Sequence, residues 1–304
     1  MTDTIGIDVG GTKILGVRRR ADGTIVAEMR AASVYDREPL LAAIAEVASS
    51  LGLDDVRAIG VGIAGMVTPT GSLRYGPNLP GVEEVDVRGE IAERTSRPTI
   101  VDNDANVAGY AEVVQGAARG SRHALVVTLG TGIGGALIVD GRVYRGANGF
   151  AGEIGHWTVD RGGPLCACGA SGHWEAIASG TALTRMAHEA QAAGSLDLSG
   201  AVDGHAIGLA ARAGHVGARA LLAEYADNVA LGLAGLATVL DPECIVISGG
   251  VVELGDCLFD PLHEAFAHHL EGETHRPRIP LHAATLGERA GAIGAAALAA
   301  TIGA

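Results

Sequence analysis

One local pattern occurs twice in this chain, and it limits the fold more than any single motif does. Residues 4–10 are a short apolar run that ends in the glycine turn Asp8-Val9-Gly10-Gly11. Residues 13–20 read as a second strand, Ala21-Asp22-Gly23 as a hairpin turn and residues 24–30 as an alternating third strand. The same order returns further on. Residues 123–129 are apolar and β-rich, Gly130-Thr131-Gly132-Ile133-Gly134-Gly135 is a glycine turn, and residues 136–139 are a strand. Asp140-Gly141 is the hairpin turn, and residues 142–145 are a third strand. A repeated supersecondary unit predicts two similar halves. Strands followed by helices in each half predict two α/β lobes with a cleft between them.

The remaining segments fit that plan. Helical spacing marks residues 36–51, a buried strand 56–67, and a short helix 87–96. A strand at 98–101 runs into Asp102-Asn103-Asp104-Ala105-Asn106, and a helix follows to about residue 115. Past the second copy come helices at 179–192, 202–213 and 218–240, then a buried strand 243–248 ending in Gly249-Gly250. A helix at 257–270, a strand at 278–286 and an Ala-rich helix at 288–300 close the chain. The chain is 48% hydrophobic but only 3% aromatic, so its core is built from Ala, Val, Leu and Ile.

Charge excludes some partners. The net charge is −13 with no long basic run, which argues against nucleic acid and anionic membrane. No run reaches the roughly 18 apolar residues of a membrane span. The start of the sequence lacks a basic-then-apolar signal pattern. Cys166 and Cys168 are too close for an ordinary disulfide framework, so a reducing, cytoplasmic setting is expected, with thiols available to a metal.

Five constellations carry chemistry. In Asp8-Val9-Gly10-Gly11-Thr12-Lys13 a glycine pair after a strand lets backbone amides approach a phosphate, Thr12 adds a hydroxyl, and Asp8 can hold Mg²⁺. The Walker spacing is absent. Gly130–Gly135 occupies the matching place in the second copy, so the two turns can hold successive phosphates of one nucleotide. It is not a dinucleotide fingerprint, because a strand pattern follows it. Asn103-Asp104 ends a strand and begins a helix. Asp104 there suits a helix cap, a catalytic base, or both. His156, Cys166, Cys168 and His173 form a four-ligand N/S set typical of a closed structural zinc site. Glu153, His156 and Glu175, with Asn78 upstream, offer the carboxylates and amides that a polyhydroxylated ligand needs.

Taken together these residues resemble the ROK family (repressors, open reading frames, sugar kinases) of the actin-like ATPase superfamily, over essentially the whole chain. The phosphate motifs lie at Asp8 to Lys13 and Leu129 to Gly135, and the catalytic segment at Val101 to Asn106. Glu153-x-x-His156 and Cys166-x-Cys168-Gly169-x-x-Gly172 resemble the zinc signature, and Ser248-Gly249-Gly250 the nucleotide-proximal turn. One departure stands out. The family's usual Gly-Cys-x-Glu reads Gly172-His173-Trp174-Glu175 here, which puts a neutral ligand in place of a thiolate.

The resemblance implies an actin-like (ribonuclease H-like) α/β fold with a duplicated β-β-β-α-β-α core. It implies a small lobe of residues 1–118 with 287–304 and a large lobe of 119–286 carrying the zinc loop. It implies Asp104 as general base and Asn78, Asn103, Asp104, Glu153, His156 and Glu175 as hexose ligands. Mg-ATP would meet Asp8, Gly10, Gly11, Thr12, Lys13, Gly130, Thr131, Gly132, Gly249 and Gly250. The expected reaction is phosphorylation of the 6-hydroxyl of glucose. Alternatives are an N-acetylmannosamine, N-acetylglucosamine or fructose kinase, polyphosphate as donor, and a sugar-responsive repressor or sensor. With its first strand starting at Thr4 and an acidic charge, no helix-turn-helix domain is expected, which counts against the repressor. A homodimer or homotetramer is expected from the family.

Overall fold

The structure is a computed structural model that describes residues 2–76, 78–200 and 202–303. Its first half holds strands β1 (Asp3–Val9), β2 (Lys13–Arg19), β3 (Ile25–Ala32), β4 (Val56–Ile63), β5 (Met66–Val67), β6 (Leu73–Tyr75) and β7 (Thr99–Asn103). Helices α1 (Arg37–Ser50), α2 (Val87–Thr95) and α3 (Asp104–Gln115) are interleaved with them. The second half holds β8 (Ala124–Leu129), β9 (Ile133–Val139), β10 (Arg142–Val143), β11 (Cys244–Ser248) and β12 (Leu281–Ala283). Its helices are α4 (Glu175–Ala178), α5 (Gly180–Ala192), α6 (Gly204–Arg212), α7 (Val216–Leu240), α8 (Asp256–His269) and α9 (Ala290–Ala299).

The duplication is visible in strand order. One five-stranded sheet runs β3-β2-β1-β4-β7 and the other β10-β9-β8-β11-β12, so each strand of the first has a counterpart in the second. In the first sheet β1, β2 and β3 are antiparallel while β4 and β7 run parallel to β1. β9–β10 and β11–β12 repeat those two modes. β12 is shorter than the 278–286 run suggests, because Pro280 has no N–H to give to a ladder. Its carbonyl still accepts from Ile245 N at 3.0 Å.

The chain divides into two compact units. The first is Met1–Val126, Ala136–Gly152 and Thr285–Ala304, and the second is Val127–Gly135 and Glu153–Ala284. In the first unit, one core joins β1 and β4 to α1 through Ile5, Ile7, Ile44, Ile59 and Ile63, all fully buried. On its other face β1 carries α9, whose ten residues are small or aliphatic and all buried. A Cβ on Gly6 or Gly60 would overlap the carbonyls of Ala292 and Ala295, so these strand glycines let the helix backbone lie directly on the sheet. Residues 285 and 286 enter this unit beside α3. There the buried Glu112 carboxylate accepts from Ala117 N (2.7 Å), Thr285 N (3.1 Å) and Leu286 N (3.0 Å).

Candidate active site

In the first unit, β1 and β7 both run parallel to β4 on either side of it, so Asp8, near the C-terminal end of β1, and Asp104, which follows β7 and opens α3, come to the same edge of the sheet. Burial, helped by the nearby Asp104 carboxylate and opposed by Lys13, pushes the Asp8 carboxyl up to about 7. Burial also pushes Asp104 above the ordinary carboxylate range, against the pull of the Ala105 and Asp104 amides and the Asn103 side chain. A Cβ on Gly291 of α9 would overlap the Asp8 carboxyl, so that helix closes one side of the pair. Two desolvated carboxylates that feel each other call for a cation or a proton between them.

The helix that begins at Asp104 is capped as its sequence suggests, but by its neighbour. Asn103 Oδ1 accepts from Asn106 N at 3.1 Å, and Asn103 Nδ2 donates to Gly65 O at 3.1 Å. Asn78 lies at the β1–β2 turn, where a Cβ on Gly11 would stand 3.3 Å from its own Cβ. That turn is closed by Gly10 N on Lys13 O at 3.0 Å. Lys13 itself pairs with Glu288 at 2.7 Å. Asn78, Asn103 and Asp104, with the whole Asp8 to Lys13 turn, therefore belong to the first unit.

Glu153, His156 and Glu175 belong to the second unit, as do both cysteines of the loop. His156, Cys166, Cys168 and His173 each turn one ligand atom inward, and these four atoms lie within 4.8 Å of one another. Cys166 Sγ is 3.7 Å from His156 Nδ1, and Cys168 Sγ is 3.2 Å from His173 Nδ1. Ligands about 2.0–2.3 Å from a tetrahedral ion stand about 3.5 Å apart, so this donor set fits a structural zinc. Burial, more than its neighbours, pushes the Cys166 thiol up to about 11. A bound metal ion reverses that preference, because it takes the thiolate.

The loop is anchored on both sides. Trp174 is fully buried and donates Nε1–H to Asn228 O at 3.0 Å. Its ring rests where α7 has Gly232, and the ring of Trp157 rests at Gly235 one turn on. Glu175 turns Oε2 onto Ile133 N at 2.9 Å, directly after the glycine turn. The same turn is held from α5, where Gly180 N donates to Gly130 O and Thr181 Oγ1 to Thr131 O, both at 2.7 Å. Gly130, Thr131 and Gly250 then line one cavity of about 480 Å³, together with Leu183, His205 and Arg212. That volume suits a small ligand of nucleotide size. Gly249, at φ 92°, makes the turn into its wall, and a Cβ there would overlap the Leu129 carbonyl.

Four participants carry no motif-level signal. Asp102 is one residue of the 101–106 segment, and Arg145 closes a strand pattern. His205 and Arg212 of α6 are separated in sequence from every motif. The tryptophans had a faint one: both flank the cysteine loop, and glycines at 232 and 235 interrupt an otherwise apolar helix.

Known proteins resemble the chain along its length. The model of the ROK family matches residues 4–302. A glucokinase from Streptomyces coelicolor is 35% identical over 311 residues, covering 97% of each chain. The solved structure of a ROK family glucokinase from Streptomyces griseus, in complex with glucose and AMPPNP, is 36% identical. It superposes with a TM-score of 0.84 over 98% of this chain and 99% of that one. A bifunctional NanE/NanK enzyme from Brucella melitensis is 42% identical over 206 residues, which is 67% of this chain and 36% of that protein.

Proposed function

The chain belongs to the ROK family, and on that premise we propose that it transfers the terminal phosphoryl group of Mg-ATP to the 6-hydroxyl of glucose. ATP-dependent phosphorylation of a hexose is the activity its glucokinase relatives support. The observation that carries the choice of glucose is the likeness, over nearly all of both chains, to the Streptomyces griseus enzyme solved with that sugar.

On this reading each step falls to residues already described. Asp104 accepts the proton of the attacking hydroxyl; its desolvated carboxyl brings its pKa nearer neutrality, as a general base needs. Asn78, Asn103, Glu153, His156 and Glu175 bind the remaining sugar hydroxyls and aim the reacting one. The nucleoside end of ATP enters the cavity beside Gly250, and its phosphates meet the turns Gly10-Gly11-Thr12 and Gly130-Thr131-Gly132. Asp8 holds the magnesium side of that complex, and Lys13 exchanges Glu288 for phosphate. Phosphoryl transfer asks for little covalent chemistry, so positioning and charge do most of the work. His156, Cys166, Cys168 and His173 would hold a structural zinc ion, which would stiffen the Glu153 to Glu175 wall. His156 turns Nδ1 to this cluster, which leaves Nε2 for a sugar hydroxyl.

A second reading, a NanK-like acceptor in place of glucose, draws on the 42% identity with the NanE/NanK enzyme. Phosphorus NMR of the product made from glucose and ATP tests the first. Glucose 6-phosphate as the sole phosphorylated sugar is expected, and phosphate at another carbon, or none on glucose, overturns it.

A further inference from the structure

A salt bridge inside the first unit joins the segment that carries Asp104 to the loop that leads into Glu153. Asp102 lies on the β7 side of that segment and is only 4% exposed. Its Oδ2 accepts a hydrogen bond from Arg145 Nε at 2.7 Å, and Nη2 of the same guanidinium stands 2.5 Å away in an ion pair. Its Oδ1 accepts from Asn103 N at 2.8 Å and from Asn106 Nδ2 at 2.9 Å. Asp104 thus sits between two residues that the same carboxylate grips. Asn106 is itself buried and commits its amide nitrogen to this contact.

Arg145 lies just past β10 and is fixed from behind as well, by Nη1 on Val143 O at 3.3 Å. Its carbonyl accepts from Ala151 N at 3.1 Å, which closes the 145–151 loop into a compact turn. The far side of that loop touches the same neighbourhood. Gly149, at φ 90°, packs so tightly on β5 that a Cβ would overlap the Val67 carbonyl. The turn before β5 is in turn held by Asn103 Nδ2 on Gly65 O. The contacts form a closed ring: the 102–106 segment, the 65–67 turn and the 145–149 loop, each joined to the other two.

We propose that the Arg145–Asp102 ion pair is a positioning device for phosphoryl transfer, setting the Asp104 carboxylate and the loop entering Glu153 in a fixed mutual register. This rests on the reading of Asp104 as the base. A buried carboxylate whose partner is removed is left uncompensated, and it relaxes by moving the backbone it grips. That backbone is the one on either side of Asp104. A shift on the order of 1 Å at a reacting group costs about 100-fold in rate. The pair acts on turnover and on sugar placement, while the nucleotide cavity, in the second unit, has no member in it.

Steady-state kinetics of Arg145→Ala, Arg145→Lys, Asp104→Asn and the wild type, with melting temperatures alongside, test this. For Arg145→Ala the expected result is a kcat lower by about 10–100-fold, a raised sugar KM and an unchanged ATP KM. Arg145 is partly exposed, so added methylguanidinium is expected to restore much of the lost kcat, while ethylammonium is not. Arg145→Lys keeps the charge and loses the two-nitrogen grip; it is expected to fold and to fall between the two, which covers the case in which the alanine variant does not fold. Wild-type kcat in Arg145→Lys, or an ATP KM that rises as steeply as the sugar KM, overturns the positioning role. An active Asp104→Asn removes the base and the positioning role together, whereas a dead Asp104→Asn beside a fully active Arg145→Lys removes only the latter.

Discussion

At the scale of single residues, the proposed chemistry turns on the two buried carboxylates Asp8 and Asp104. Asp104→Asn keeps shape and hydrogen bonding but cannot take a proton. It is expected to bind glucose with near-normal affinity, by calorimetry, while kcat falls by about 10²–10⁴-fold; near-normal turnover would remove Asp104 as the base. Asp8 gives a pH signature. Its carboxyl titrates at about 7 in the folded protein and near 3.8 unfolded, so between those values the folded state holds a proton that the unfolded state has released. Stability contributed by this group therefore falls as pH rises from about 4 to 7. Without added magnesium, Asp8→Asn is expected to flatten that fall and to melt higher than wild type at pH 7. A steeper fall in the variant contradicts the linkage. Asp104 was readable in sequence as an acid at a strand end. That burial raises both acids, and that Asp104 raises Asp8 as well, was not, because it depends on α9 arriving from the far end of the chain to cover Asp8.

At the scale of elements, the cysteine loop and α9 show how far local sequence reaches. The four zinc-type ligands were legible because spacing alone brings them together: three fall within eight residues, and only His156 is more distant. Metal analysis is expected to find about one zinc per chain. Cys166→Ser should lose it together with several degrees of melting temperature, and His173→Cys should keep it. A metal-free enzyme with full activity contradicts this account of the loop. What anchors the loop was not legible. Trp174 finds its seat on α7 only because Gly232 leaves room some 58 residues later, a long-range fit with no local pattern. Trp174→Ala is expected to cost about 3–5 kcal/mol in denaturant unfolding, from lost burial and the cavity left behind. A cost below about 1 kcal/mol would mean that the indole is not the anchor. The same limit applies to α9. Its Ala-rich run announces a helix, but its seat on β1 and β4 needs Gly6 and Gly60, which in a strand pattern read merely as weak positions.

At the scale of the whole molecule, the repeat was the most informative sequence feature. It predicted two copies of one strand order, and the sheets β3-β2-β1-β4-β7 and β10-β9-β8-β11-β12 are those copies. Period-two alternation and paired turns survive in sequence because each copy must fold its own sheet. The long apolar helix α7 buries eleven of its residues, Leu222, Tyr225 and Leu233 among them. No helix of the described residues is long and apolar enough to cross a membrane. The identity of the sugar is the property least open to pattern, since it turns on the placement of a few polar atoms and not on any run of residues. It is also the most direct claim to test. ADP release from ATP can be measured with glucose, mannose, fructose, N-acetylglucosamine and N-acetylmannosamine in turn. The account predicts the highest kcat/KM for glucose; a higher value for either N-acetylated sugar, or no ADP release with any of the five, would contradict it.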